Sequence, residues 1–196
     1  SIIYDFASDA KKDLAMHYVN PWGTMRIGKL LEDIDALAGT VANLHADDGD
    51  ENTLPLSMVT ATVDHVHVSR TLSLHSDIKM TGHVSWVGRS SMEIQVRLHQ
   101  DVAGNATFGE EVASATFTFV GLCPVTGRPA GINPLVPKTD EEQMDFDRGV
   151  LRAKERKQNR RAGRLADDSK GVSKDEIKEL LVRGKTKAEL PRSNVE

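Results

Sequence analysis

Residues 26–45, RIGKLLEDIDALAGTVANLH, are the stretch that decides how this 196-residue chain folds. Their apolar side chains recur at intervals of three and four residues, which is the spacing of one helix face. These side chains are Ile27, Leu30, Leu31, Ile34, Leu37, Ala38 and Val41. We predict a helix from Met25 to Ala46, with Thr24 as its N-terminal cap and residues 47–50 as its end. An apolar face of this length must be buried against another element.

Four strand-like stretches follow the helix, and each alternates polar with apolar residues or is rich in Val and Thr. They are residues 56–70, 77–87, 91–100 and 110–121. The short link at residues 88–90 predicts an antiparallel hairpin between the second and third. Alternation predicts that Met80, Gly82, Val84 and Trp86 share one face. A long helix followed by an antiparallel sheet indicates an α+β fold, with the helix on one sheet face.

Composition excludes several classes of protein. Hydrophobic residues make up 39% and charged residues 28%, and the net charge of −4 argues against binding of the whole chain to nucleic acid or a membrane surface. No apolar run approaches the roughly 20 residues of a membrane span. The single cysteine, Cys123, excludes an intrachain disulfide and a paired-cysteine metal site. The sequence begins at Ser1 without a signal peptide pattern, so we expect a trimmed or mature form.

Two histidines raise the question of a metal site. His65 and His67 are predicted to share one face of a strand, and a metal ion can bridge such a pair. No third ligand stands at a diagnostic spacing, so a surface or packing role is favoured and no metal site is predicted.

The amino-acid composition changes after Gly121. Residues 123–137 contain four prolines and are predicted to form an extended loop. A capping box at residues 139–142 predicts a helix from Asp140 to about Arg161, and a second at residues 173–176 opens a short helix to about Val182. We therefore predict a globular domain over residues 1–138 and a helical, basic extension or inter-domain linker over 139–196.

The run from Arg148 to Arg164 holds eight Lys and Arg residues, with Glu155 as its only acid. Contact with RNA phosphates is one interpretation of such a run. A solvated linker helix is the other, and it is favoured because no aromatic residues are interleaved with the charges.

Three acids lie on the central helix. Glu32 points away from the apolar face, whereas Asp33 and Asp35 lie on its two opposite borders. A carboxylate at such a border can be partly desolvated and so serve as a general base. The alternative is that all three are solvated surface acids. Spacing alone does not choose between Asp33 and Asp35.

Residues 20–45 resemble the active-site segment of eukaryotic acyl-CoA thioesterases built from hotdog domains. In that family an Asn precedes a turn containing Gly, and the helix carries an acid before small residues that end in His. Further matches in the same order are HVSWVGRSSMEI (83–94), ATFTFVGL (115–122) and NPLVPKTDEE (133–142). The likeness spans residues 18–147 and is closest to the mitochondrial acyl-coenzyme A thioesterase 9 type.

The resemblance implies a hotdog fold, in which an antiparallel sheet wraps around one long central helix, here with a C-terminal helical extension. It implies hydrolysis of acyl-CoA to a free acid and CoA, with Asp35 as general base and Asn20 positioning the reactants. Backbone N–H groups at the amino end of the helix, near Gly23 or Gly28, would polarise the thioester carbonyl. It implies no nucleophilic Ser or Cys, no metal, and no cofactor besides the CoA of the substrate.

One turn is implied as the site of CoA contact. Its residues are Gly88, Arg89, Ser90 and Ser91. An Arg with free N–H groups suits phosphate, although an ordinary solvated hairpin turn is an equal alternative.

Two departures from the family pattern matter. Ile27-Gly28 stands where many relatives have Gly-Gly, and only one hotdog is present where this subtype carries two. The resemblance implies a site shared between two hotdogs, with the Asn from one and the acid from the other, and a location in the mitochondrial matrix. The partner would be a second copy or another chain. The alternative function is a non-catalytic hotdog that serves assembly or binding in a larger complex, for example a mitochondrial ribonucleoprotein.

Overall fold

The computed structural model describes residues 1–6, 12–100 and 110–166, with side chains except those of residues 12 and 160–166. The chain forms two compact units, Ser1–Val150 and Leu151–Glu196, and the second is described only as helix as far as Ala166. Residues 101–109, between the third and fourth predicted strands, lie outside the described residues, as do the predicted capping box at 173–176 and its short helix. None of the helices in the described ranges is long and apolar enough to cross a membrane.

One five-stranded sheet and a long helix make up the first unit. The elements are β1 (Ile2–Tyr4), α1 (Lys12–His17), α2 (Ile27–Ala46), β2 (Ser57–Val68), β3 (Ile78–Val87), β4 (Ser91–Gln100), β5 (Glu110–Leu122) and the start of α3 (Asp140–Ala166). All strand pairs are antiparallel, in the order β1-β3-β4-β5-β2. The predicted α+β class and the β3–β4 hairpin are confirmed.

Helix α2 packs against one face of the sheet through the predicted apolar stripe. Its buried residues are Leu30, Ile34, Leu37, Ala38 and Ala42. Gly82 of β3 makes the approach close, because a Cβ there would lie 3.2 Å from Val41 Cγ2. Each large apolar side chain buried in this way contributes about 1.5–3 kcal/mol. Only the N-terminal member of the predicted stripe departs from it, since Ile27 is exposed.

A β-bulge changes the direction of Trp86. The β3–β4 register shifts between Val84 and Trp86, so that Val84 lies opposite Ile94 and Trp86 lies opposite Glu93. Trp86 therefore faces the side of the sheet away from α2, and the prediction that it shares a face with Val84 is wrong. On that side Gly149 of α3 lies against it, because a Cβ on Gly149 would overlap the Trp86 side chain.

The beginning of α3 is held to the same side of the sheet. Glu142 N–H donates to Thr139 Oγ1 at 3.2 Å and the Glu142 carboxylate accepts from Lys138 N–H, which confirms the predicted capping box. The buried Asp145 carboxylate lies 3.4 Å from Arg97 Nη2 and 3.5 Å from His83 Nε2. The helix continues to Ala166, beyond its predicted end at about Arg161.

Strand β2 lies at one edge of the sheet and is irregular. Its pairing with β5 shifts between Thr60 and Thr62 and again between Asp64 and His67. Asp64 and His67 pair with β5 residues two apart, and His65, with a φ of 48°, lies in the irregular segment between them. The regular alternation on which the prediction of a shared face for His65 and His67 rests is therefore broken. Four valines of this edge are partly exposed: Val59, Val63, Val66 and Val68.

Candidate active site

Asp35 lies on the flank of α2 that faces the edge strand β2. Its carboxylate is exposed, and Thr60 Oγ1 of β2 donates a hydrogen bond to Asp35 Oδ1 at 3.3 Å. Exposure beside an open sheet edge means that a single copy of the chain does not desolvate this acid. Because the Thr60 hydroxyl donates to Oδ1, the other carboxylate oxygen of Asp35 is available to accept a proton.

Asp33, the other border acid, has a different environment. It is half-buried, and its Oδ2 accepts a hydrogen bond of 2.5 Å from the Tyr18 hydroxyl. Lys29 Nζ lies 3.5 Å from the other oxygen. Burial, followed by the bond to Asp33, raises the pKa of Tyr18 above its usual range. Asp33 therefore joins two elements, which spacing along the helix could not reveal.

Asn20 forms a compact turn ahead of α2. Its Oδ1 accepts from the backbone N–H groups of Trp22 at 2.9 Å and Thr24 at 3.0 Å, and its Nδ2 donates to Thr24 Oγ1 at 2.6 Å. Gly23 has a φ of 79°, which an L side chain rarely adopts. Thr24 is thereby engaged by Asn20, so the prediction that it caps the helix is wrong. The capping position is Arg26, which makes no side-chain cap.

The amino end of α2 presents free backbone donors. Ile27 and Gly28 lie in the first turn, where N–H groups have no acceptor within the helix. Gly28 is exposed, and a Cβ added to it would meet nothing within 4 Å. The space before Gly28 is therefore open to a ligand oxygen, with the positive end of the helix dipole behind it.

One copy of the chain does not bring these groups to a common point. Gly28 and Asp35 are separated by seven residues of helix, which is about 10 Å along the axis. A base and an oxyanion donor must each lie about 3 Å from the reacting groups of one thioester. Asn20 precedes the helix and lies in the turn at its amino end. Asp35 and the Asn20–Gly28 end therefore lie at two separate places along α2 and the segment that precedes it.

The predicted CoA turn closes the β3–β4 hairpin. Gly88 N–H donates to Ser91 O at 2.7 Å, and the carbonyls of Arg89 and Ser90 accept from residues 132 and 121. The Arg89 side chain is exposed. Gly88 is required by packing, because a Cβ there would lie 2.6 Å from the Trp86 ring. Within the part of the chain that the structure describes, no hydrogen bond links this turn to Asp35 or Asn20.

Other features of the first unit lie apart from these groups. A cavity of about 1090 Å³ separates the end of α2 from the loop at residues 47–56, and another of about 420 Å³ lies between β3, β4 and the start of α3. Cys123 lies in a turn, where a hydrogen bond with Thr126 lowers the pKa of its thiol. Within the described ranges, no three His, Cys, Asp or Glu side chains are grouped as metal ligands.

Two site residues were absent from the sequence predictions. Thr60 lies 25 residues after Asp35, on another element, and no spacing rule connects them. Tyr18 precedes Asn20 by two residues and is 4% exposed. The sequence indicates only that a buried tyrosine hydroxyl needs a hydrogen-bond partner. It does not indicate which residue that partner is, because the fold brings the two together.

Comparison with known proteins places the chain in a family. No protein-family model matches it. The uncharacterized acyl-CoA thioester hydrolase YkhA of Bacillus subtilis is 32% identical over 157 residues, which cover 79% of this chain and 84% of YkhA.

This chain belongs to the acyl-CoA thioester hydrolase family.

Longer members of the family are similar to this chain over part of their length. The chloroplastic acyl-coenzyme A thioesterase 2 of Humulus lupulus is 38% identical over 192 residues, which are 97% of this chain and 43% of the plant protein. The human mitochondrial acyl-coenzyme A thioesterase 9 is 36% identical over 146 residues, 72% of this chain and 32% of the human one. The predicted resemblance is confirmed. This chain spans less than half the length of these two relatives.

Solved structures of acyl-CoA hydrolases share the fold. The enzyme of Staphylococcus aureus, in complex with butyryl-CoA, CoA and CoA disulfide, superposes with a TM-score of 0.65 at 28% identity, over 78% of this chain and 87% of that one. A hexameric acyl-CoA thioesterase gives a TM-score of 0.60 at 28% identity, over 72% and 85%. The predicted hotdog fold is confirmed.

Proposed function

We propose that this chain hydrolyses acyl-CoA to a free acid and CoA when two hotdog domains are paired. The observation that carries the proposal is the Asp35–Thr60 pair, an exposed acid with a donor hydroxyl beside an open sheet edge. The complex of the similar S. aureus hydrolase with butyryl-CoA and CoA supports a CoA thioester as substrate.

Variants of that S. aureus hydrolase support the same residue types. Variants with an aspartate, a threonine or an asparagine changed to alanine were characterised. The aspartate and the asparagine are separated by the same number of residues as Asp35 and Asn20. We therefore assign the base to Asp35 and the positioning amide to Asn20.

The reaction needs one proton acceptor and two oxyanion donors. Asp35 removes a proton from water, whose oxygen attacks the thioester carbonyl carbon. Thr60 holds the carboxylate in place. The carbonyl oxygen becomes an oxyanion, which accepts hydrogen bonds from Gly28 N–H and Asn20 of the other hotdog. When the C–S bond breaks, the CoA thiolate takes the proton from Asp35.

The hydrogen bonds of Asn20 support a role as a donor. Its Oδ1 already accepts two backbone N–H groups, and these also fix which atom is oxygen. Its Nδ2 carries two hydrogens, of which one is donated to Thr24. The remaining hydrogen is available to the substrate carbonyl, so Asn20 stabilises negative charge and does not hold the attacking water by accepting from it.

The partner hotdog is proposed to pair at the edge strand β2. Pairing would extend the sheet, cover the exposed valines of β2 and enclose Asp35 beside the partner's Asn20–Gly28 end. A second copy of this chain satisfies these needs. In a longer protein, the hotdog of residues 1–138 would be joined by the extension 139–196 to a second hotdog.

Contact with CoA is proposed at the turn of Gly88, Arg89, Ser90 and Ser91. The exposed Arg89 guanidinium is suited to a phosphate, and the turn's outer N–H groups add to it. Mitochondrial and chloroplastic names among the relatives support an organellar location, and we propose the mitochondrial matrix.

The test is Asp35→Asn, which keeps the size of the side chain and removes its basicity. The wild-type chain should release CoA from butyryl-CoA or a longer acyl-CoA, and the variant should lose about 10²–10⁴-fold in kcat. Glu32→Gln, on the exposed side of the same helix, is the matched control and should retain full turnover. Undiminished turnover by Asp35→Asn would refute Asp35 as the base, whereas no turnover by the paired wild type would favour the non-catalytic module.

A further inference from the structure

Tyr18 and Asp33 form a buried link between the N-terminal segment and the central helix. The Tyr18 ring lies edge-on to Phe6, with centroids 5.1 Å apart, and to Tyr4 at 5.6 Å. Its hydroxyl donates to Asp33 at 2.5 Å, and Lys29 neutralises the other side of that carboxylate. Since burial and Asp33 raise the pKa of Tyr18, the hydroxyl stays a neutral donor at physiological pH.

The backbone of Tyr18 is joined to the start of the same helix. Tyr18 O accepts a hydrogen bond of 2.6 Å from Arg26 N–H, and Val19 forms a β-bridge with Met25. Asn20 N–H donates to Thr24 O at 2.9 Å. The turn that carries Asn20 is therefore closed by backbone hydrogen bonds at Tyr18 and at Asn20, on either side of Val19.

The outer part of this turn is not held by packing. Residues 21–24 are all exposed, and Trp22 is 73% exposed. The buried side chains that flank the turn are Tyr18 at 4% and Met25 at 4%. The Tyr18–Asp33 hydrogen bond links the side chain at the closed end of the turn to α2, the helix that also carries Asp35.

We infer that Tyr18 and Asp33 are positioning residues that set where the Asn20 amide lies relative to α2 and its free N–H groups. The inference rests on the proposed hydrolysis, in which Asn20 donates to the oxyanion. A shift of about 1 Å in such a donor can cost about 100-fold in rate, so a link of this kind acts on turnover more than on substrate binding.

Tyr18→Phe tests the inference, because it keeps the ring packing and removes the hydroxyl. With butyryl-CoA as probe and the full chain as enzyme, kcat should fall about tenfold with little change in KM. In an Asn20→Ala background the same substitution should have no further effect, because its effect passes through Asn20. Glu32→Gln serves as the control that should leave every parameter unchanged.

Other results would overturn the inference. If the losses from Tyr18→Phe and Asn20→Ala multiply, or if KM rises while kcat is kept, Tyr18 does not act through Asn20. Hydrolysis itself stands in that case, provided that Asp35→Asn remains inactive; full turnover by Asp35→Asn would refute the proposed function instead. Should Tyr18→Phe not fold, Asp33→Asn carries the same test, with a smaller loss because its amide oxygen still accepts from Tyr18.

Discussion

At the scale of single residues, two acids of α2 that stand two positions apart have different environments. Asp33 is half-buried and bonded to Tyr18, while Asp35 is exposed beside Thr60. Helix periodicity places both at the border of the apolar face and treats them alike. The difference comes from elements remote in sequence, β2 on one side and the N-terminal segment on the other.

The Thr60 hydroxyl is expected to matter for turnover. Thr60→Val preserves the shape of the side chain and removes the donor to Asp35. We predict a fall in kcat of about tenfold, less than the 10²–10⁴-fold expected for loss of the base itself. Thr62→Val, on the same strand, removes a bond to Asp64 and should leave steady-state kinetics with butyryl-CoA unchanged. Equal effects of the two substitutions would contradict a specific role for Thr60.

The sequence predicted only part of this candidate site. The resemblance selected Asp35 and Asn20, but Thr60 could not be predicted because the pair exists only once β2 lies against α2. The donor role that we propose for Asn20 could not be predicted either. It depends on which of its amide atoms the turn already uses, and Thr24, the expected helix cap, is one of the partners that use them.

At the scale of elements, the helix and the four long strands were predicted from their periodicities to within a few residues. Alternation also predicted the face of Met80, Gly82 and Val84, but failed at Trp86. A bulge inserts one residue into a ladder without changing the polar pattern that precedes it, so sequence periodicity does not reveal it. The bulge turns Trp86 toward α3.

Glycines in two helices test the packing of Trp86. Replacing Gly by Ala in a helix normally stabilises it by about 1 kcal/mol. Gly149→Ala places a methyl group against Trp86, so we predict a lower free energy of unfolding, by about 1–3 kcal/mol. Gly28→Ala has open space and should not lower it. Thermal denaturation compares the two, and a stabilised Gly149→Ala would contradict the described contact.

At the scale of the whole molecule, we expect the free edge of the sheet to determine whether Asp35 meets the Asn20–Gly28 end of a partner hotdog. Val63 on β2 is 52% exposed, and a charge there opposes pairing between strand edges. We predict that Val63→Lys yields a folded but smaller species without turnover. Val125→Lys, at a turn residue that is 75% exposed, should change neither property. Light scattering with the CoA-release assay measures both, and an active, unpaired Val63→Lys chain would refute the shared site.

The central claim is that Asn20 and Asp35 act across two hotdogs, and mixed pairs test it most directly. Chains carrying Asn20→Ala and Asp35→Asn, each with only a small residual turnover alone, are produced together with different tags, and the mixed dimer is purified. The account predicts about half of the wild-type turnover, because one of the two sites receives both intact residues. A mixed dimer as inactive as its parents would show that both residues act within one copy, and would contradict the account.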